Sequence, residues 1–204
     1  MFESLALDPK HTALLLLDLQ NDGIGEGGRD SGVGPAEHAK KQNLVENVKQ
    51  LLERARAIGM PVIHSHAVPM RGMKGNSPVY ANFGARAYEE NLGTWGVSAV
   101  DGLEPKPGDH VVEKMRVNAF YESRLDILLR GLEVETIVIC GAWTNYVVEH
   151  TARHGADAGY RVVVVSDGTA TLNDEWQNVS LNYGLSGLAT IANTKEVLSA
   201  LPDA

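Results

Sequence analysis

Short, almost unbroken apolar runs recur along this chain, and this pattern restricts the possible folds more than any other feature. The runs are TALLLLDLQ (12–20), PVIHSH (61–66), HVVEK (110–114), ETIVICG (135–141) and YRVVVVSD (160–167), with LATIA (188–192) as a weaker sixth. A strand that is buried on both faces has such a sequence, whereas a strand with one solvated face alternates apolar and polar residues. The chain is therefore predicted to form a sheet that is covered on both sides.

Segments with helical periodicity lie between these runs. Apolar residues recur every three or four positions over 43–59, 119–131 and 144–160, and glycine stands at the end of the first two, at Gly59 and Gly131. Buried strands that alternate with helices favour an α/β protein. We expect a three-layer α/β/α arrangement around a doubly wound, mostly parallel six-stranded sheet.

Length and composition predict one domain over residues 1–204. The chain is 44% hydrophobic and 22% charged, as in ordinary globular proteins. Division of 204 residues into two domains would leave each half with little core to bury.

Charge and cysteine content restrict the partners and the compartment. A net charge of −8 and a pI near 5.3 argue against nucleic acid and acidic membranes, because phosphate groups need a positive surface. Cys140 is the only cysteine, so no disulfide within the chain can form. With no signal segment and no run of roughly 18 apolar residues, the prediction is a cytoplasmic protein that binds a small molecule and does not insert into a membrane.

Polar side chains stand where the predicted strands end. These side chains are Asp18, His64, His66, Lys114 and Asp167, and the turn GAWTN (141–145) follows a further strand. Ligands of doubly wound sheets bind at the carboxyl ends of the strands, so these residues mark the expected site.

Two segments rich in glycine and other helix-breaking residues, 21–35 and 70–96, also follow strand ends and are expected to cover the site. Neither contains a phosphate-binding glycine motif, and no nucleotide or other cofactor is expected.

Asp18 and Lys114 are the residues most suggestive of chemistry. A carboxyl group after four leucines is desolvated, which raises its pKa unless a cation compensates. Lys114 closes another buried strand, and Asp18 on a neighbouring strand is its expected partner. The pair can serve as a structural ion pair or as a proton-transfer pair, and the residues alone leave both interpretations open.

His64 and His66 lie on the same side of an extended strand. Two histidines alone rarely hold a metal ion, so no metal site is predicted. A structural role or contact with the substrate is expected instead.

The motifs ALLLLDLQND, GMPVIHSH, VVEKMRVNAFYESRLDILLR and VICGAWTN resemble those of the isochorismatase-like cysteine hydrolases, and the resemblance extends from about His11 to Leu198. This superfamily includes nicotinamidases, N-carbamoylsarcosine amidases, ureidoacrylate hydrolases and isochorismatases. Its catalytic set is an aspartate, a lysine and a cysteine, and the resemblance assigns the first two roles to Asp18 and Lys114.

The resemblance assigns the position of the cysteine nucleophile to Val147, which cannot act as one. Cys140 lies inside a strand and is expected to be a small buried apolar residue. Because backbone donors tolerate the loss of a side chain, the resemblance still implies an oxyanion hole formed by the N–H groups of Trp143 and Val147. It also implies a cis peptide bond between Ala142 and Trp143.

Three functions are compatible with these residues. The first is cysteine-independent hydrolysis of a vinyl-ether-type bond, with Asp18 as general acid and Lys114 tuning its charge. The second is an amidase or ureide hydrolase with water activated by Asp18. It ranks just behind the first because direct attack of water on an amide is demanding. The third is a catalytically silent small-molecule-binding protein.

The expected substrate contacts are Gln20, His64, His66, Trp95, Phe120, Thr144 and Tyr146. For Trp95 and Tyr146, packing between subunits is an equal explanation. The resemblance further implies a homodimer or homotetramer.

Overall fold

The computed structural model describes residues 5–32, 34–68 and 95–203. Six parallel strands form one sheet in the order β3-β2-β1-β4-β5-β6. The strands are β1 (Thr12–Leu17), β2 (Val62–Ala67), β3 (His110–Lys114), β4 (Thr136–Ala142), β5 (Arg161–Ala170) and β6 (Thr190–Ala192). The predicted doubly wound parallel sheet is confirmed. Most of the predicted covering segment 70–96, namely 70–94, lies outside the described residues.

Helices pack on both faces of this sheet. They are α1 (Asn21–Ile24), α2 (Gly34–Lys41), α3 (Leu44–Ala57), α4 (Leu125–Gly131), α5 (Glu149–Asp157), α6 (Asp174–Asn178) and α7 (Thr194–Ala200). A 3-10 turn spans Trp95–Val97, and π-helical turns span Thr144–Val148 and Val179–Leu185. No helix in the described ranges is long and apolar enough to cross a bilayer.

The leucines of β1 divide between two cores, which is why this strand is apolar at every position. Leu14 and Leu16 pack with α3 on one face of the sheet. Leu15 and Leu17 pack with α4 and α5 on the other face. Alternate side chains of an extended strand point to opposite faces, so both faces of β1 must be apolar.

The position of β1 between β2 and β4 places the ligand crevice. Strands β2 and β3 lie on one side of β1, and β4, which follows them in the sequence, lies on the other side. The carboxyl ends of β1 and β4 therefore form the switch point at which ligands of such sheets bind.

Strand β5 contains a bulge near its carboxyl end. Its Val164 pairs with Ile139 of β4, but the next pair joins Thr169 to Gly141. The residues between Val164 and Thr169 therefore leave the pairing with β4, although Val165 still pairs with Ala192 of β6, and the strand is locally bent.

The predicted helix over 119–131 begins only at Leu125. Side chains satisfy the backbone before that point: Asn118 Oδ1 accepts from the Phe120 N–H at 2.9 Å, and Ser123 Oγ accepts from the Leu125 N–H at 3.1 Å. Glu122 also has a positive φ of 52°, which a helix excludes. Such local side-chain bonds compete with helix formation.

Gly141 is required where β4 passes β1. A Cβ atom at this position would lie 2.5 Å from the Leu17 carbonyl oxygen and 2.7 Å from Leu17 Cβ. The substitution Gly141→Ala is therefore expected to lower the free energy of unfolding by about 1–3 kcal/mol, measured by urea denaturation.

The control is Gly131→Ala, at the end of α4, where an added Cβ would have no neighbour within 4 Å. This variant should keep or slightly raise the stability, since alanine favours helix. Equal denaturation midpoints for the two variants would contradict the close approach of β1 and β4.

Candidate active site

A cavity of about 370 Å³ opens at the switch point of the sheet. The strand ends contribute Asp18, Ala67, Lys114 and Ala142 to its lining, and the loops around them supply the rest. The predicted location of the site is therefore where the structure has a cavity.

Asp18 is the residue directly after β1 and has a left-handed backbone with φ 54°. Its N–H still donates to the Ser65 carbonyl at 2.9 Å, so the strand pairing continues through the bend. Its Oδ2 accepts from Lys114 Nζ at 2.7 Å. Its Oδ1 is buried and accepts no hydrogen bond from the described residues. The nearby Ala67 N–H donates to Gln20 Oε1 instead.

Lys114 reaches Asp18 from a strand that is not its neighbour. Strand β2 lies between β1 and β3, which differs from the expectation of adjacent strands. The residue of β2 in register with Lys114 is Ala67, whose methyl group leaves room for the lysine chain. The Lys114 side chain is only 1% exposed, and its Nζ also donates to the Arg116 carbonyl at 2.8 Å.

Burial raises the pKa of Asp18, and the charge of Lys114 opposes this effect. The carboxyl group therefore takes up a proton more readily than an exposed aspartate does. The Asp18 side chain lines the cavity and is 17% exposed, so this carboxyl group can exchange a proton with a molecule bound beside it.

The turn after β4 forms the opposite wall of the cavity. The Ala142–Trp143 peptide bond is cis, as the resemblance implied. Trp143, Tyr146 and Val147 all line the cavity, and the two aromatic rings lie 5.5 Å apart at 53°. Val147 is buried, and α5 follows this turn directly.

Charged residues of the glycine-rich loop after β1 also line the cavity, and the sequence reasoning did not select them. Arg29 donates from Nε and Nη2 to the two carboxylate oxygens of Asp30, at 2.9 Å each. Asp22 lies in the same wall. Their position in a loop that follows a strand end is the feature of the sequence that could have indicated them.

Gln20 and Thr144 were expected to contact the substrate, but their side-chain polar atoms are bonded to the protein. Gln20 lines the cavity, yet its Nε2 donates to the carbonyls of Ala67 and Val97 at 3.1 and 2.7 Å. Thr144 is fully buried, and its Oγ1 donates to Gln177 Oε1 at 2.6 Å. Both side chains hold the walls of the cavity in place.

His64 and His66 are not among the residues that line the cavity. His64 is buried beside Asp109, with His64 Nε2 and Asp109 Oδ2 3.2 Å apart, and Arg56 donates to the same carboxylate oxygen at 2.5 Å. Burial lowers the pKa of His64 to about 4 despite this carboxylate, so the ring is neutral near neutral pH. His64 thus contacts Asp109 and not the cavity.

Phe120 and Trp95 also lie away from the cavity lining. Phe120 stacks on His154 at 4.7 Å and on Tyr160 at 5.9 Å, within the core under α4 and α5. Trp95 is 53% exposed, and its carbonyl accepts from Asn21 Nδ2 at 2.9 Å. Among the expected substrate contacts, Gln20 and Tyr146 therefore reach the cavity, and Trp95 and Phe120 do not.

Within the described ranges, no three His, Cys, Asp or Glu side chains converge in a way that would hold a metal ion. Cys140 is buried in β4, and burial raises the pKa of its thiol far above the ordinary value. Its thiolate is therefore strongly disfavoured near neutral pH.

Comparison with known proteins assigns the family. The model of the isochorismatase domain matches residues 12–196. The ureidoacrylate amidohydrolase RutB of Stutzerimonas stutzeri is 32% identical over 198 residues, which cover 90% of this chain and 79% of that protein.

Solved structures have the same fold. A cysteine hydrolase from Pseudomonas syringae superposes with a TM-score of 0.84 over 98% of both chains, at 24% identity. N-carbamoylsarcosine amidase from Thermoplasma acidophilum superposes with a TM-score of 0.73 at 26% identity, covering 90% of this chain and 96% of that one. With the family model matched over most of its length, this chain belongs to the isochorismatase family of hydrolases.

Proposed function

We propose that the protein hydrolyses a C–N bond of a small amide or ureide without a covalent intermediate, using Asp18 and Lys114 as an acid–base pair. The observation that carries this proposal is the ion pair of Asp18 and Lys114 in the lining of the cavity, where Asp18 Oδ1 has no hydrogen-bond partner in the described part of the chain. The relatives are named as a ureidoacrylate amidohydrolase and an N-carbamoylsarcosine amidase. These names favour a C–N bond over a vinyl ether as the bond that is cleaved.

In this mechanism, the Asp18 carboxylate takes a proton from a water molecule, and the oxygen of that water attacks the carbonyl carbon. The carbonyl oxygen becomes an oxyanion, which the backbone N–H groups of Trp143 and Val147 would stabilise. The C–N bond then breaks, and Asp18 returns its proton to the leaving nitrogen. The products are an acid and an amine or ammonia, with Asp18 unchanged.

Lys114 keeps the Asp18 carboxylate in place and stabilises its charged form. The ammonium group is bonded to Asp18 Oδ2, so it does not compete for Oδ1. Without this cation, burial would keep the carboxyl group protonated over a wider pH range. The pair therefore sets how strong a base Asp18 is.

A vinyl-ether-type substrate is the second candidate, and the raised pKa of Asp18 supports it. Here the protonated Asp18 would donate to the vinyl carbon, and water would add to the cation that results and return a proton to Asp18. The C–O bond of the resulting hemiketal then breaks, and an alcohol and a carbonyl compound are released. No side-chain nucleophile is needed, which suits a valine at position 147.

The remaining contacts and the assembly are also proposals. Trp143 and Tyr146 would form the apolar walls of the substrate site. Assembly as a homodimer or homotetramer is supported by the exposed apolar side chains Leu172, Trp176, Val179 and Tyr183, which lie before, on and after α6. Location in the cytoplasm stays a prediction.

The substitution Asp18→Asn tests the assignment of the general acid–base group. Loss of the proton-transfer group should lower kcat by a factor on the order of 10² to 10⁴, with substrate binding retained. Turnover of a panel of amides, ureides and vinyl ethers gives the measurement. The matched control is Glu113→Gln on β3, which removes an exposed carboxylate and should leave turnover unchanged.

The pH dependence of kcat/KM separates the two candidate reactions. If Asp18 is a base, the rate rises as the pH rises through its pKa, which burial places above 3.8. If Asp18 is the acid that protonates a vinyl group, the rate falls over the same range. Full activity of Asp18→Asn would disprove both mechanisms, and ligand binding without turnover in the wild type would favour a silent binding protein.

The substitution Val147→Cys tests whether the cavity accepts amides. A thiol at this position would face the cavity at the start of a helix, so amidase activity should appear or increase, with a transient acyl-enzyme. Val148→Cys is the matched control, because Val148 is fully buried and does not line the cavity. A folded Val147→Cys protein with no gain on any amide or ureide would count against the C–N bond.

A further inference from the structure

A buried side-chain bond joins the turn that carries Val147 to a helix outside the cavity. Thr144, the first residue of this turn, donates from Oγ1 to Gln177 Oε1 at 2.6 Å. Gln177 lies on α6, is buried, and does not line the cavity. It therefore contacts the active-site turn from behind.

The nitrogen of the Gln177 side-chain amide contacts the bulge of β5. Its Nε2 lies 3.0 Å from the Ser166 carbonyl oxygen, 2.8 Å from Thr169 Oγ1 and 3.2 Å from the Thr169 carbonyl oxygen. The bulge removes these backbone groups from the regular ladder, so the two N–H groups of the amide supply donors that the sheet does not.

This set of partners fixes the orientation of the amide. The carbonyl oxygens of Ser166 and Thr169 can only accept, so Nε2 must face the bulge and Oε1 must face Thr144. Rotation of the amide by 180° would place its oxygen against two carbonyl oxygens. Thr144 therefore has an acceptor in one defined place.

We infer that Gln177 is a positioning residue for the reaction: it holds the turn from Trp143 to Val147 against the bulge of β5. The inference rests on the proposed function, because this turn supplies the backbone N–H groups assigned to the oxyanion. Small displacements of such donors are costly to the reaction. The bulge and Gln177 together would thus set the position of groups that neither of them touches directly.

Gln42 offers a matched control for this inference. Its Nε2 donates to the same Thr169 carbonyl at 2.9 Å, but none of its hydrogen bonds reaches the turn from Thr144 to Val148. Loss of Gln42 removes a donor from the bulge and leaves the bond between Thr144 and Gln177 in place.

The experiment uses the Val147→Cys protein and measures alkylation of the introduced thiol by iodoacetamide as a function of pH. The protein without this substitution supplies the background, since Cys140 is buried. In the Val147→Cys protein, the further substitution Gln177→Leu should slow alkylation at pH 7 about tenfold. The reason is that the turn stabilises the thiolate less well when one buried hydrogen bond is lost. Thr144→Val should have the same effect, and the two together should not slow the reaction further.

Gln42→Leu should leave the pH profile unchanged. The inference is overturned if Gln177→Leu leaves the profile unchanged, if Gln42→Leu shifts it equally, or if the effects of Gln177→Leu and Thr144→Val add. Circular dichroism checks folding, and Gln177→Glu replaces Gln177→Leu if the latter does not fold, since a carboxylate cannot donate to the bulge. Alkylation needs no substrate, so the outcome is independent of whether the protein hydrolyses amides.

Discussion

The ion pair between Asp18 and Lys114 joins two strands that have a third strand between them, and the site depends on this contact. Its atoms lie 2.7 Å apart, and the lysine is almost completely buried. Taking two charges out of water is costly, so such a pair persists only where the geometry is good and further bonds complete it. Ala67 supplies the space, and the Arg116 carbonyl accepts a second N–H from the lysine.

This arrangement leaves one carboxylate oxygen of Asp18 without a hydrogen bond from the described part of the chain. Lys114 occupies Oδ2, the Ala67 N–H is bonded to Gln20, and Oδ1 is left buried at the wall. Val147 stands at the position that the resemblance to cysteine hydrolases assigns to the nucleophile. The proposed function therefore relies on proton transfer by Asp18 and on the backbone N–H groups of the neighbouring turn.

The apolar runs predicted the sheet, its parallel direction and the edge at which the site lies, because burial on both faces requires continuous apolar sequence. Because both faces are buried, the pattern did not indicate which face of the sheet each strand-end residue occupies. On β2, Ala67 faces the cavity, whereas His64 points to the network around Asp109. Residues on both faces of β2 are buried, so the sequence could not show which alternate side chains face the cavity.

Loop residues were less predictable than strand ends. Arg29 and Asp30 lie in the cavity wall because α1 and α2 fold back over the crevice, and short helices in a glycine-rich segment carry little periodic signal. Phe120 was expected to contact the substrate, but its ring completes a core with Tyr160. Packing partners that are distant in sequence decide such positions.

The most direct test of the account is a titration of the Asp18 carboxyl carbon by NMR, with the resonance assigned by its loss in Asp18→Asn. A group that is buried and can both take up and release a proton should titrate above the ordinary value of 3.8, despite the adjacent lysine. A midpoint at or below 3.8 would show that Lys114 dominates and that Asp18 is a permanently charged structural partner, which would contradict its role as the proton-transfer group.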